Sequence, residues 1–193
     1  RINMALSKID VANMLTGATP VANGGTALTS GFVNGGGLVS VSQYRLTSTF
    51  TNSADPIASN WETPDTDGYG GLGTSVSESS GIFSFPSTGF WLIIFNCSFN
   101  NSSADDRYAN CSISTTTDNS SYDTAAKAFS NVPQGNNGTS TGANGVASFL
   151  FDVTNTTTHK CRVGIDVANA NTQGTGDSGL NNTHVTFIRL GDT

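Results

Sequence analysis

The chain contains few charged residues. Only 11% of its 193 residues are Asp, Glu, Lys or Arg, against about 25% in an ordinary soluble domain. Coiled coils and helical bundles are rich in Ala, Glu, Lys, Leu and Arg, so the composition excludes both classes. The 8 basic residues are outnumbered by 14 acidic ones, and the net charge is -6. Because phosphate binding needs a basic surface, we expect no nucleic acid partner.

Long apolar runs are also missing. The longest extends from Phe90 to Phe95, whereas a membrane-spanning helix needs roughly 18 apolar residues. A charged and then apolar leader with a small-residue cleavage site is absent too. The sequence therefore predicts no membrane insertion and no secretory leader.

Cysteine is scarce, and its positions suggest no metal site. Cys97, Cys111 and Cys161 are separated by 14 and 50 positions, and these spacings match no zinc or redox motif. We expect all three to be buried small apolar residues of a protein made in a reducing cytosol. A Cys97–Cys111 bridge is the alternative, if the two residues lie on paired strands.

Groups with catalytic chemistry are few. The chain has two histidines, His159 and His184, and two glutamates, Glu62 and Glu78. Neither histidine has a suitably spaced carboxylate, and no Gly-x-Ser-x-Gly elbow occurs. We therefore expect no catalytic site and no cofactor, with both histidines at solvent-exposed strand edges.

One segment has the composition of a cation-binding loop. Asp65 and Asp67 alternate with other residues in Asp-Thr-Asp-Gly-Tyr-Gly, as in loops that bind hard cations. The remaining ligands of such a loop are missing from the sequence, so an ordinary Asp-rich turn is the favoured alternative.

Small polar residues are abundant: Gly, Ser, Thr and Asn make up 92 of the 193 residues. The chain nevertheless contains 11 Phe, 4 Tyr and 2 Trp, which are enough to form a core. A fully disordered chain would have few aromatic residues. The sequence therefore predicts one folded domain, with room for an extension.

Residues 1–37 differ from the rest. A stretch from Ser7 to Leu15 has loosely helical periodicity, and the segments after it are rich in glycine. Glycine supplies no packing and loses much backbone entropy on ordering, so this part needs a partner surface. We interpret residues 1–37 as an extended docking arm with a short helix. The expected docking residues are Ile9, Val11, Met14, Leu15, Pro20 and Val21.

Residues 38–193 show repeated β patterns separated by Asn, Asp, Gly and Ser clusters. Seven or eight short strands without a clear helix predict an antiparallel β-sandwich or jelly roll. The expected strands are Leu38–Phe50, Ile82–Phe85, Phe90–Phe99, Tyr108–Thr117, Gly145–Thr154, Lys160–Asn169 and Thr183–Leu190. Since Phe90–Phe95 is apolar on both faces, its outer face needs a cover, and we expect an oligomer.

The segment Gly81-Ile82-Phe83-Ser84-Phe85-Pro86-Ser87-Thr88-Gly89-Phe90-Trp91 reads Gly-x-Phe-x-x-Pro-x-x-Gly-x-aromatic. It resembles the signature strand of the complement-head and tumour-necrosis-factor superfamily of jelly rolls, with Trp91 in the place of the usual Tyr. The last strand, which contains Phe187, is similar to the final strand of that fold. The collagen-like stalk of the complement heads is absent. The resemblance implies a homotrimer, with Gly81, Phe83, Pro86, Gly89, Trp91, Ile93, Phe95 and Phe187 in its core and at its subunit contacts.

The arm has a resemblance of its own. Thr19-Pro20-Val21-Ala22-Asn23-Gly24-Gly25-Thr26 resembles Pro-x-x-x-Gly-Gly-Thr segments of fibre and appendage proteins in tailed bacteriophages. This implies a virion structural protein assembled in the host cytoplasm. Its head would be a trimeric fibre, knob or capsid decoration, and its arm would dock on capsid, portal or tail. The alternative is a secreted complement-head-like module that binds a ligand.

Aromatic side chains near predicted loops are candidates for contact with a host-surface glycan or protein, because such rings stack on sugars and anchor partners. The expected contact residues are Tyr69, Tyr108 and Tyr122, and Trp61 is a further candidate that could instead belong to the core.

Overall fold

The computed structural model describes residues 38–101, 105–133 and 139–193. Its regular structure in these ranges consists of β-strands, and none of the described residues forms a helix able to cross a membrane. The strands are β1 (Ser40–Leu46), β2 (Ser48–Thr51), β3 (Trp61–Glu62), β4 (Ser77–Ser79), β5 (Ile82–Ser84), β6 (Gly89–Asn101), β7 (Asp106–Thr116), β8 (Asp123–Val132), β9 (Thr141–Val153), β10 (Lys160–Val167), β11 (Gln173–Asp177) and β12 (His184–Gly191).

These strands form two antiparallel sheets. One sheet has seven strands in the order β2-β11-β6-β12-β1-β3, and β9 pairs with the other side of β6. The second has five strands in the order β4-β5-β10-β7-β8. Neighbours in a sheet are mostly distant in the sequence, as in a jelly roll. The predicted all-β antiparallel sandwich is confirmed.

The core lies between the sheets, and β6 is its central strand. Alternation along β6 directs Trp91, Ile93 and Phe95 inward, where each is 0% exposed. From the five-stranded sheet, Phe83 packs with its ring centroid 5.1 Å from that of Phe187. Phe83, Phe85 and Trp91 of the sequence signature thus lie in the space between the two sheets.

Glycine positions in the signature serve turns and close approaches. Ser80 and Gly81 have φ angles of 54° and 78° and form the two-residue connection between paired Ser79 and Ile82. Positive φ at both positions is the requirement of a type I′ hairpin, which glycine meets without strain. Pro86 follows in the exposed connection between β5 and β6.

Several strand boundaries differ from the sequence-based expectation. The predicted run Leu38–Phe50 is divided into β1 and β2, and β9 begins at Thr141 rather than Gly145. The described residues form twelve strands rather than the expected seven or eight, because β3, β4, β8 and β11 were not predicted. Strand β8 is rich in Ala, Lys, Ser and Asn, which have little β propensity. Its pairing with β7, for example Ala128 opposite Cys111, compensates for that weakness.

Residues Ile9, Val11, Met14, Leu15, Pro20 and Val21 lie outside the described residues. The docking arm and the domain boundary after residue 37 therefore stay predictions.

Candidate functional site

The outer face of the seven-stranded sheet carries a row of aliphatic side chains. In the strand register, Leu92 of β6 lies between Ile188 of β12 and Leu150 of β9. Ile94 of β6 and Val146 of β9 extend the same surface, and Phe90 ends it. We call these six residues, Phe90, Leu92, Ile94, Val146, Leu150 and Ile188, the apolar face.

Several members of the apolar face are open to solvent. Val146 is 56% exposed, Leu150 is 53% exposed and Phe90 is 38% exposed. The polar residues opposite Ile94 are Thr186 and Ser148, neither of which is charged. A contiguous exposed apolar patch is typical of an interaction surface.

Toward β1 and the edge strand β3, the same sheet face becomes polar around Arg45. The guanidinium is 2% exposed and donates to Glu62 and Asp65, at 2.7 Å in each case. Its Nη1 also donates to Thr66 Oγ1 at 2.9 Å. The hydrogen bond to Glu62 is the main cause that raises the pKa of Arg45, against an opposing effect of burial. The two carboxylates therefore stabilise a buried positive charge.

Above Arg45, two turns enclose a pocket of about 350 Å³. In the first turn, Tyr69 N–H donates to Thr66 O at 3.1 Å, and Asp67 and Gly68 have φ angles of 54° and 76°. The second turn contributes Gly179, Leu180 and Asn181. Asn181 Nδ2 donates to Gln43 Oε1 at 2.6 Å and so connects this turn to β1.

The Asp65–Asp67 segment has the geometry of a turn over an arginine. Asp65 is paired with Arg45, and Asp67 occupies the left-handed position of the turn. Among the described residues, no group of three or more His, Cys, Asp or Glu side chains is placed to hold a metal ion. Asp65 and Asp67 therefore have no third such side chain beside them in the described part of the chain. The expectation of an ordinary Asp-rich turn without a metal ion stays a prediction.

The predicted contact aromatics lie in different places. Tyr69 lines the pocket and its hydroxyl accepts from Gln43 N–H at 3.2 Å. Tyr122 lies under Arg162, with the guanidinium 4.7 Å from the ring centroid. Tyr108 lies near the start of β7, beside Arg107. Trp61 packs 5.7 Å from Phe83 and donates to Ile57 O at 2.7 Å, as a core residue does.

The two histidines have local structural partners. His159 is 8% exposed, so its predicted solvent-edge position is wrong: its ring stacks on Phe151 and contacts the hydroxyls of Thr154 and Thr158. His184 Nδ1 lies 3.0 Å from Asn181 O. Burial lowers the pKa of His184, which favours the neutral ring. Neither histidine is joined by these contacts to a carboxylate.

The three cysteines are free and buried. Cys97 and Cys111 lie on β6 and β7, which belong to different sheets, so the premise that they share paired strands is wrong. Burial raises the pKa of both Cys97 and Cys161 far above the usual range. Their thiols are therefore protonated, and both side chains are apolar members of the core, as the sequence predicts.

Sequence reasoning missed the Arg45 network and the pocket. Arg45, Glu62 and Asp65 are separated in the chain by turn-like segments, and no spacing rule relates them. The sequence indicated part of the apolar face. Val146 and Leu150 alternate with core residues along β9, but only the pairing with β6 places them beside Leu92.

Comparison with known proteins identifies the fold. No family model matches the chain, and no curated protein matches it. Among solved structures, murine APRIL at pH 5.0 is similar with a TM-score of 0.56 and 14% identity, covering 78% of this chain and 98% of APRIL. Eiger TNF from S. frugiperda is similar with a TM-score of 0.56 and 9% identity, covering 79% of this chain and 93% of Eiger. Identities this low carry the fold alone, and the chain has the tumour-necrosis-factor-like jelly roll that its signature predicts.

Proposed function

We propose that this chain is a self-associating jelly-roll head, a homotrimer that contacts a surface and forms an appendage of a virus particle. The apolar face is the observation that carries self-association. Phe90, Val146 and Leu150 are exposed to solvent in a single chain. They lie on β6 and β9, which have 13 residues each and form the middle of this apolar surface.

The occupant of this face is a second copy of the chain. Full burial of each aliphatic side chain contributes about 1.5–3 kcal/mol, so even partial cover of the row is favourable. Among the described residues, the paired strand of β9 is β6, and edge strands of this length are protected in native proteins. Strand β8 covers part of the other edge, where Ser130 Oγ donates to Asn144 O at 2.6 Å. Packing around a closed symmetry axis covers the same face in every copy. The resemblance of the sequence signature implies three copies.

The appendage role is supported by the chemistry of the cysteines and by composition. Three free, buried thiols fit assembly in a reducing compartment such as the host cytoplasm. The alternative, a secreted complement-head-like module, calls for matched disulfides. With three heads, weak contacts to a host surface become useful through avidity. In this proposal residues 1–37 dock on capsid, portal or tail, and no residue has a catalytic role.

Leu150→Glu tests the assembly. Leu150 is already 53% exposed, so the substitution leaves the fold of one chain intact. In the trimer it buries an unpaired carboxylate against an apolar surface, which costs several kcal/mol. We expect light scattering to show a mass about three times the 19.9 kDa chain for the wild type and monomers for the variant.

Phe129→Glu is the matched control. Phe129 is 72% exposed and lies on β8 of the other sheet, so this variant should remain trimeric. A wild-type chain that is monomeric at high micromolar concentration contradicts the proposal. A Leu150→Glu trimer contradicts the choice of face.

A further inference from the structure

We propose that the pocket above Arg45 is a binding site for a neutral saccharide. The inference rests on the proposed surface-contacting role and names the site and ligand class for it. The pocket opens beside β1, which lies two strands away from β6 and next to the edge strand β3. Its volume of about 350 Å³ lies within the range of small-molecule sites.

The walls combine an aromatic ring with planar polar groups. Tyr69 supplies an aromatic ring and a hydroxyl whose proton is not used in accepting from Gln43 N–H. Leu180, which is 60% exposed, adds an apolar side chain at the rim. Sugar rings present patches of C–H groups to such surfaces and direct hydroxyls to their sides, so an amphipathic wall suits them.

The polar groups match adjacent hydroxyls. Among the described residues the Asp67 carboxylate has no hydrogen-bond or ion-pair partner, and its two oxygens can accept from neighbouring hydroxyls at once. Asn181 uses one donor on Gln43 and retains its acceptor oxygen and a second N–H. Both turns are hydrogen-bonded locally, and Arg45 also donates to Thr66 in the first turn, so the backbone that carries Asp67 and Asn181 is preorganised before a ligand arrives.

Charge and lining argue against other ligand classes. Arg45 is neutralised by Glu62 and Asp65, so Asp67 leaves the pocket acidic and an anionic ligand is disfavoured. A metal ion needs several oxygen ligands, but Asp65 already pairs with Arg45. A purely apolar ligand would desolvate Asp67, Asn181 and Gln43 without replacing their hydrogen bonds.

Asp67→Asn is the decisive variant. Asp67 has a φ angle of 54°, and Asn adopts this left-handed conformation at least as readily as Asp, so the turn is kept. The change removes a charged acceptor. We expect saccharide affinity to fall about tenfold or more, since hydrogen bonds to charged groups are the stronger ones. Asp123→Asn, at the exposed start of β8, is the control and should leave affinity unchanged.

The experiment is saturation-transfer NMR on the full chain, with a panel of methyl glycosides of neutral hexoses, deoxyhexoses and N-acetylhexosamines. We expect transfer to at least one glycoside, weakened by Asp67→Asn and lost in Tyr69→Ala. Tyr69→Phe, which keeps the ring, should retain most of the signal. If no glycoside in the panel receives transfer, or if Asp67→Asn and Tyr69→Ala bind as the wild type does, the inference is overturned. Light scattering on the same samples separates this from failure of the proposed trimer.

Discussion

Gly145 shows how one missing side chain permits the packing of the two sheets. An added Cβ would lie 2.9 Å from Cys111 Sγ, which comes from the opposite sheet. Gly145→Ala should therefore destabilise the fold by about 1–3 kcal/mol through overpacking. Adding Cys111→Ala should recover part of this loss, because it removes the sulfur that clashes.

Urea unfolding of both single variants and the double variant measures this coupling. Gly70→Ala is the control, because its added Cβ would meet no atom within 4 Å. Strictly additive effects in the double variant would show that Gly145 and Cys111 do not constrain each other.

At the scale of elements, the junction of β6 and β12 depends on Gly89. This residue begins β6 with a φ angle of 135°, and an added Cβ would lie 2.3 Å from Gly191 O. It faces the irregularity in β12 between Arg189 and Gly191. Gly89→Ala should cost about 1–3 kcal/mol from the backbone alone, with more from the steric overlap.

Gly191→Ala, in the other strand of this junction, has open space at its Cβ position and should cost clearly less. Thermal unfolding ranks the two variants. Hydrogen exchange should become faster first at Phe90 and Arg189, where the strands meet. Equal destabilisation by both variants would refute the role given to Gly89.

For the whole molecule, the low charge predicts attachment that tolerates salt. Contacts made by hydroxyl, amide and apolar groups are little screened, whereas those of exposed ion pairs weaken as ionic strength rises. Under the appendage role proposed above, the purified chain should rebind particles stripped of it with an affinity that changes little between low and high NaCl. A chain without residues 1–37 should fail to rebind. Cosedimentation measures both, and a steep salt dependence or rebinding without residues 1–37 contradicts the docking role.

The class of the fold follows from local features of the amino-acid sequence. The sequence shows the alternation of apolar and polar residues in β9 and the apolar run on both faces of β6, because strand periodicity and turn residues are local properties. The signature from Gly81 to Trp91 identified the type of jelly roll for the same reason. Strand β8 could not be predicted from the sequence, because its extended conformation comes from pairing with β7 and not from the β propensity of its own residues.

The surfaces that the molecule offers to partners depend instead on contacts between distant parts of the chain. The apolar face exists because register places Ile188 and Leu150 on either side of Leu92. The pocket exists because turns far apart in the chain meet above Arg45. Such sites depend on long-range pairing, whose partners are set by the packing of the whole domain and not by any local spacing.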